Sequence, residues 1–251
     1  IAVLISGVPA PDPAVRLNSF MVNSISKPPQ ESPVMLPAVP SDRDRILAAI
    51  DVGTNSIHMV IVRIQPHIPA FTIVGREKAT VRLGDFCKKT GELSAEAIDR
   101  AIVALKRCQD VAKSVNAEQV IAVATSAVRE APNGQEFLQR IEDELGLWIN
   151  LISGTEEARR IYLGVLSGMN LNNQPHVIVD IGGGSTELIL GDGHEPRTLS
   201  STKVGAVRLS AEQISTDPIS PAEFSELQAY IRGMLERSIE ELQAHLKPGE
   251  R

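Results

Sequence analysis

The chain has 251 residues, a formal charge of −6, 43% hydrophobic and 22% charged residues, the arithmetic of a globular chain of one or two domains. Collagen, a coiled coil and a multi-span membrane protein are excluded; no apolar run approaches the roughly 18 residues of a membrane helix, so no membrane partner is expected. The negative charge and the 3% aromatic content argue against a basic, ring-lined groove, so no nucleic acid is expected, although a few arginines facing one cleft would still suit an anion.

Residues 1–45 hold eight of the sixteen prolines, which remove amide donors and restrict their predecessors, so this segment is expected to be disordered. Its opening Ile1-Ala2-Val3-Leu4-Ile5 is short for a secretory core and lacks a basic flank. Cys87 and Cys108 resemble neither a disulfide framework nor a zinc site, which points to a reducing compartment and a cytoplasmic location. Apolar runs at 46–50, 57–64, 71–74 and 119–123 predict strands. Ile98, Ala101, Ile102, Leu105, Cys108, Ala112 and Val115 recur at helical spacing behind Ser94, a suitable N-cap. Phe137, Leu138, Ile141 and Leu145 mark a second helix, and 147–152 a strand. A third helix is expected after Thr155, burying Ala158, Ile161, Tyr162 and Val165.

Beyond the polar stretch 170–175 the chain begins again, with strands at 177–181, 186–190 and 198–209 and a helix at 221–246. The repeat is visible in residues. Asp51-Val52-Gly53-Thr54-Asn55-Ser56 and Asp180-Ile181-Gly182-Gly183-Gly184-Ser185 share the form Asp-x-Gly-x-x-Ser, each between two strands. Two similar lobes, 46–172 and 173–251, are therefore expected around a cleft. The second stops after its first long helix, so it is expected to be incomplete, to expose apolar surface, and to leave the chain with little or no activity.

Each repeat has the parts that a phosphate and a metal need together. Glycine admits backbone amides to phosphate oxygens, the hydroxyl adds a hydrogen bond, and the carboxylate of Asp51 or Asp180 holds a hard cation. The glycines lead into strands instead of helices, and no G-x-x-x-x-G-K-[ST] occurs, so P-loop and Rossmann readings fail. What remains is an α/β, two-lobed actin-like (ribonuclease H-like) ATPase-type fold with a truncated second lobe. No nucleophile elbow is present, and the five histidines form no ligand pattern; His58 is read as packing or capping.

These two segments, together with Ala124-Thr125-Ser126-Ala127-Val128-Arg129-Glu130-Ala131 and Ile152-Ser153-Gly154-Thr155-Glu156-Glu157-Ala158, resemble the exopolyphosphatase and guanosine pentaphosphate phosphohydrolase family. Val204-Gly205-Ala206-Val207-Arg208-Leu209 resembles a further family segment. The likeness runs from about residue 46 to the end and covers roughly the amino-terminal half of a long member. It implies hydrolysis of terminal phosphoanhydride bonds of inorganic polyphosphate, with guanosine pentaphosphate as a second substrate, and a Mg²⁺ or Mn²⁺ cofactor. A homodimer of a full-length form is left open.

By the same resemblance Glu157 is the general base, and Asp180 and Glu187 are metal-associated acids, with Asp51 beside them. Gly53, Thr54, Asn55, Ser56, Gly182, Gly183, Gly184, Ser185 and Arg129 bind phosphate, with Arg82 and Arg208 as further candidates along the anion path. From the residues alone, Glu156 and Glu157 equally suit a helix macrodipole, and only one of two adjacent helical residues can face a cleft. Glu187 equally suits a solvated strand position, and Arg129 a surface pair with Glu130 or Glu136. The rival functions are a non-catalytic binder or sensor of polyphosphate or guanosine nucleotides, and a kinase or ATPase of the same fold.

Overall fold

A computed structural model describes residues 2–5, 43–68, 70–85 and 90–247. The first lobe begins with three antiparallel strands, β2 (Arg45–Val52), β3 (Ser56–Ile64) and β4 (Phe71–Thr80). Their register opposes Ala48 to Ile61, Ile50 to Met59 and Val52 to Ile57, all buried, and leaves Asp51 opposite His58 on the other face. A slip of one residue would exchange those faces, so the apolar alternation specifies the pairing.

Helix α1 (Ala95–Ser114) is capped by the Ser94 hydroxyl, which accepts from the Ala97 amide at 3.2 Å, and buries Ala101, Leu105, Cys108 and Ala112. Strand β5 (Gln119–Ala124) lies parallel to β2, and β6 (Ile149–Leu151) parallel to β5, giving the order β4-β3-β2-β5-β6. Between them are α2 (Ser126–Glu130) and α3 (Gly134–Leu145), whose Phe137 and Ile141 join the core. Helix α2 is too short to carry a readable period, so sequence periodicity misses it.

The second sheet is antiparallel, in the order β1-β7-β8-β9: β1 (Ala2–Ile5), β7 (His176–Ile181), β8 (Thr186–Gly191) and β9 (Thr198–Thr202). All six residues of β8 are buried, because helices cover both faces. On one side α4 (Gly154–Gly168) brings Ala158 and Tyr162 against Ile178 and Ile189. On the other lies α6 (Pro221–Ala244), whose Ser238 hydroxyl meets that of Thr202 at 3.1 Å. Phe224, Met234 and Ile239 of α6 are exposed.

Four expectations change. The lobe boundary falls ahead of α4, not at residue 172, because α4 completes the second core. That helix starts at Gly154, one residue before Thr155, where the Ser153 side chain caps it. The strand expected over 198–209 ends at Thr202, and α5 (Ala206–Gln213) follows. Ala2–Ile5 pairs with β7 instead of being disordered; residues 6–42 of that expected segment lie outside the described residues. With β7–β8 repeating the β2–β3 hairpin, the architecture is the two-lobed actin-like fold.

Tyr162 tests the new boundary. It is fully buried and its hydroxyl accepts from the Gly193 amide at 2.9 Å. Tyr162→Ala should destabilise by about 3–5 kcal/mol, whereas Tyr162→Phe loses only a hydrogen bond worth about 1 kcal/mol. In limited proteolysis the Ala variant should be cleaved within 154–247 while 45–151 stays protected; preferential loss of the first lobe would contradict the assignment of α4.

Candidate functional site

The two Asp-x-Gly-x-x-Ser turns are built alike. In the first, the Gly53 amide donates to the Ser56 carbonyl at 3.1 Å; in the second, the Gly182 amide donates to the Ser185 carbonyl at 2.9 Å. Each is buttressed from outside. The Asn55 carbonyl accepts from the amides of Val81 and Arg82, and that of Thr54 from Gly84. The Gly182 carbonyl accepts from the Ala206 amide, and the Gly183 carbonyl from those of Val207 and Arg208. The second buttress is thus the first turn of α5, which explains why the segment after Thr202 turns helical. The turns meet tip to tip: a methyl group on Gly184 would collide with the Ser126 hydroxyl and lie 2.7 Å from that of Thr54. Only glycine allows the lobes this close.

Between the turns opens a cleft of about 460 Å³. Its lining brings together Asp51, Gly53, Thr54, Asn55 and Ser56 from the first lobe with Asp180, the three glycines, Ser185 and Glu187 from the second, and Glu157 from α4. Burial, then the charge of Asp180, raises Asp51 to about 6. Glu157 rises to about 7, through burial and then the nearby Glu187, against a lowering by Arg129. Glu187 is buried and also raised, chiefly by desolvation, although the Ser201 hydroxyl donates to it at 2.7 Å. Among the described residues no three His, Cys, Asp or Glu side chains are grouped so as to hold a metal ion by themselves.

Helix geometry separates the Glu-Glu pair. Glu156 is held by Arg159 at 2.7 Å and Arg160 at 2.8 Å, one turn along its own helix, while Glu157 faces the cleft and receives Arg129 Nη1 at 3.3 Å. Arg129 also donates to the Ile152 carbonyl at 2.8 Å and stands at the rear of the site, beside Thr155, Ser185 and Lys203; its partner is neither Glu130 nor Glu136. Glu130 instead receives Arg208 at 2.7 Å, Lys203 at 3.0 Å and the Ser126 hydroxyl at 2.7 Å.

Two arginines stand off the cleft. Arg208 donates to the Gly184 carbonyl at 3.1 Å and to Glu212 at 3.1 Å as well as to Glu130, so it braces the second turn against the first lobe. Arg82 supports the first turn through its backbone, at φ 52, and its exposed side chain borders a neighbouring groove with Asp85 and Ser210. His58, expected to pack or cap, is instead exposed and lines the cleft, as do Lys78, Thr125 and Ser126, to which the sequence assigned no role there. The readable signal was strand register, which sets His58 opposite Asp51 and Lys78 opposite His58.

Residues 60–250 match the profile of the Ppx/GppA phosphatase family. The chain belongs to that family. It is 36% identical over 200 residues to exopolyphosphatase 2 of Mycobacterium tuberculosis, a match covering 77% of this chain and 62% of that protein. The crystal structure of an exopolyphosphatase from Cytophaga hutchinsonii superposes with a TM-score of 0.75 at 30% identity, over 80% of this chain and 64% of that one. The Aquifex aeolicus Ppx/GppA family member gives 0.63 at 31% identity, over 78% of this chain and 63% of that one. The chain therefore spans less than two thirds of the length of these relatives. A chain of the PilM–PilN pilus biogenesis complex, at 12% identity and a TM-score of 0.54, shares the fold alone.

The Ppx/GppA cleft carries a stability signature. Asp51 sits above its ordinary 3.8 when folded, so its contribution to stability is complete below about 4 and is lost as pH rises through about 6. Asp51→Asn, which stays neutral, should therefore raise Tm by a few degrees at about pH 8 in chelator and make no difference at about pH 4. Melting curves of the two proteins at both pH values check this; a gap independent of pH would remove the carboxylate repulsion from the account.

Proposed function

We propose that this cleft hydrolyses terminal phosphoanhydride bonds of inorganic polyphosphate to release orthophosphate, with guanosine pentaphosphate as a second substrate of the same site. The observation that carries the reading is Glu157: a carboxylate raised to about 7, aimed into the cleft and contacted by Arg129 at 3.3 Å, while its neighbour Glu156 is held away by two arginines. A base poised near the working pH suits proton abstraction from water. The names of the relatives support the substrate class.

Glu157 takes one proton from a water molecule as its oxygen bonds to the terminal phosphorus. The bond from that phosphorus to the bridging oxygen breaks, and the shortened chain leaves with the bridging oxygen and its electron pair. The Gly53 and Gly182 amides are engaged within their turns, so the donors to phosphate oxygens are the amides that follow in each turn and the hydroxyls of Thr54 and Ser185. The buttresses hold loop carbonyls outward, which presents the amide side of the turns to an anion.

Asp51 and Asp180 fit a hard divalent cation, since each faces the cleft and their mutual repulsion is relieved by positive charge. Mg²⁺ binds through one or two carboxylates completed by substrate oxygens and water, so two aspartates suffice although no three acidic side chains among the described residues are grouped to hold an ion by themselves. When bound, the ion would neutralise charge on the transferring phosphoryl group.

Orthophosphate release from polyphosphate without any nucleotide, by this sequence or its longest form, tests the reading directly. Glu157→Gln should lower turnover by about a hundredfold or more with binding nearly intact, and Glu156→Gln should do far less. Equal losses in the two variants would remove Glu157 from the role. Activity should vanish in excess chelator and return with Mg²⁺ or Mn²⁺, and Asp180→Asn should demand more metal for half-maximal rate; full turnover in chelator would exclude the ion.

A further inference from the structure

A chain of phosphates entering this cleft meets Asp51, Glu157, Asp180 and Glu187, so positive charge has to come from somewhere. The arginines and the lysine nearest the site are already engaged. Arg129 donates to the Ile152 carbonyl and Glu157, Arg208 to the Gly184 carbonyl, Glu130 and Glu212, and Lys203 to Glu130. Among the described residues that line the cleft, Lys78 is the sole lysine or arginine, and no ion pair engages it.

Its place follows from register. Asp51, His58 and Lys78 are direct cross-strand partners on β2, β3 and β4, so they form one row across the sheet, and all three line the cleft. The ammonium lies near enough to act on its neighbour: burial first, and then Lys78, push His58 below its ordinary value. The corresponding row of the second lobe is Asp180, Glu187 and Ser201, so the repeat is symmetric in backbone, while a lysine stands in the first row and a second carboxylate in the other.

We propose that Lys78 is the cleft's anion-binding cation, holding a phosphate group of the substrate chain from the first-lobe wall beside Asp51. The assignment rests on the reading of the cleft as a polyphosphate site. Lysine suits this task, being a point charge on a flexible stem that can meet successive phosphates without a fixed fork.

The test is binding, not turnover. In a Glu157→Gln protein, calorimetric titration with tripolyphosphate and Mg²⁺ should show affinity falling about tenfold or more on adding Lys78→Gln, and recovering most of that with Lys78→Arg. Lys106→Gln, on an exposed position of α1, should leave the affinity unchanged. Circular dichroism melts confirm that each variant is folded. Tripolyphosphate binding indifferent to Lys78 would overturn this assignment alone. No binding by the Glu157→Gln protein or by the unsubstituted chain would overturn the polyphosphate reading, and Lys78 with it.

Discussion

Four carboxylates from both halves of the chain face one cleft, and gathering them there is the constraint around which the surrounding structure is organised. Asp51 and Glu157 are pushed up to about 6 and about 7, chiefly by burial and then by their acidic neighbours. Such a cluster works against closure of the lobes unless other contacts hold them. Two devices do so: glycine at 184 removes the side chain that would wedge the turns apart, and α2 reaches across with consecutive residues of opposite charge. Arg129 meets Glu157 while Glu130 meets Arg208 and Lys203, so one five-residue helix ties the first lobe to α4, α5 and the strand-end of β9.

The glycine turns owe their usefulness to what lies behind them. A turn with free carbonyls could rotate and offer oxygen to an anion. Here the carbonyls of Asn55, Gly182 and Gly183 are held by amides of the adjoining segments at 81–82 and 206–208. The two buttresses are different structures, an irregular turn at 81–84 and a helix at 206–213, that perform the same fixation. Repetition therefore survives in the turns and in Asp51 and Asp180, while the supports and the cross-strand neighbours have diverged.

Helix α4 joins the halves. Strand β6 belongs to the first sheet, and three residues later α4 packs against the second through Ala158 and Tyr162. Glu157 therefore sits at the passage between lobes, with its backbone anchored by the second core and its carboxylate met by an arginine of the first. A carboxylate in this position depends on the relative placement of both lobes for its surroundings.

The repeat, the strand pairs around each glycine turn and the Ser94 cap were legible because each rests on local chemistry: an apolar alternation, a turn that only glycine tolerates, a hydroxyl ahead of a helix. The family segments were legible for the same reason, since each is contiguous. The α4 boundary was not, because a helix's own periodicity says which face is apolar but not which sheet will cover it. Nor were the separate fates of Glu156 and Glu157, or of Arg129 and Arg208, because adjacent charges become a cleft carboxylate, a surface pair or a brace only when another element arrives beside them. Lys78 illustrates the remainder: it lies two strands beyond the Asp51 motif, and only the register of β2, β3 and β4 sets it in a row with His58 and Asp51. Sequence by itself determined the elements and the chemistry available; the tertiary structure decided which charges meet, since those contacts depend on packing between segments remote in the chain.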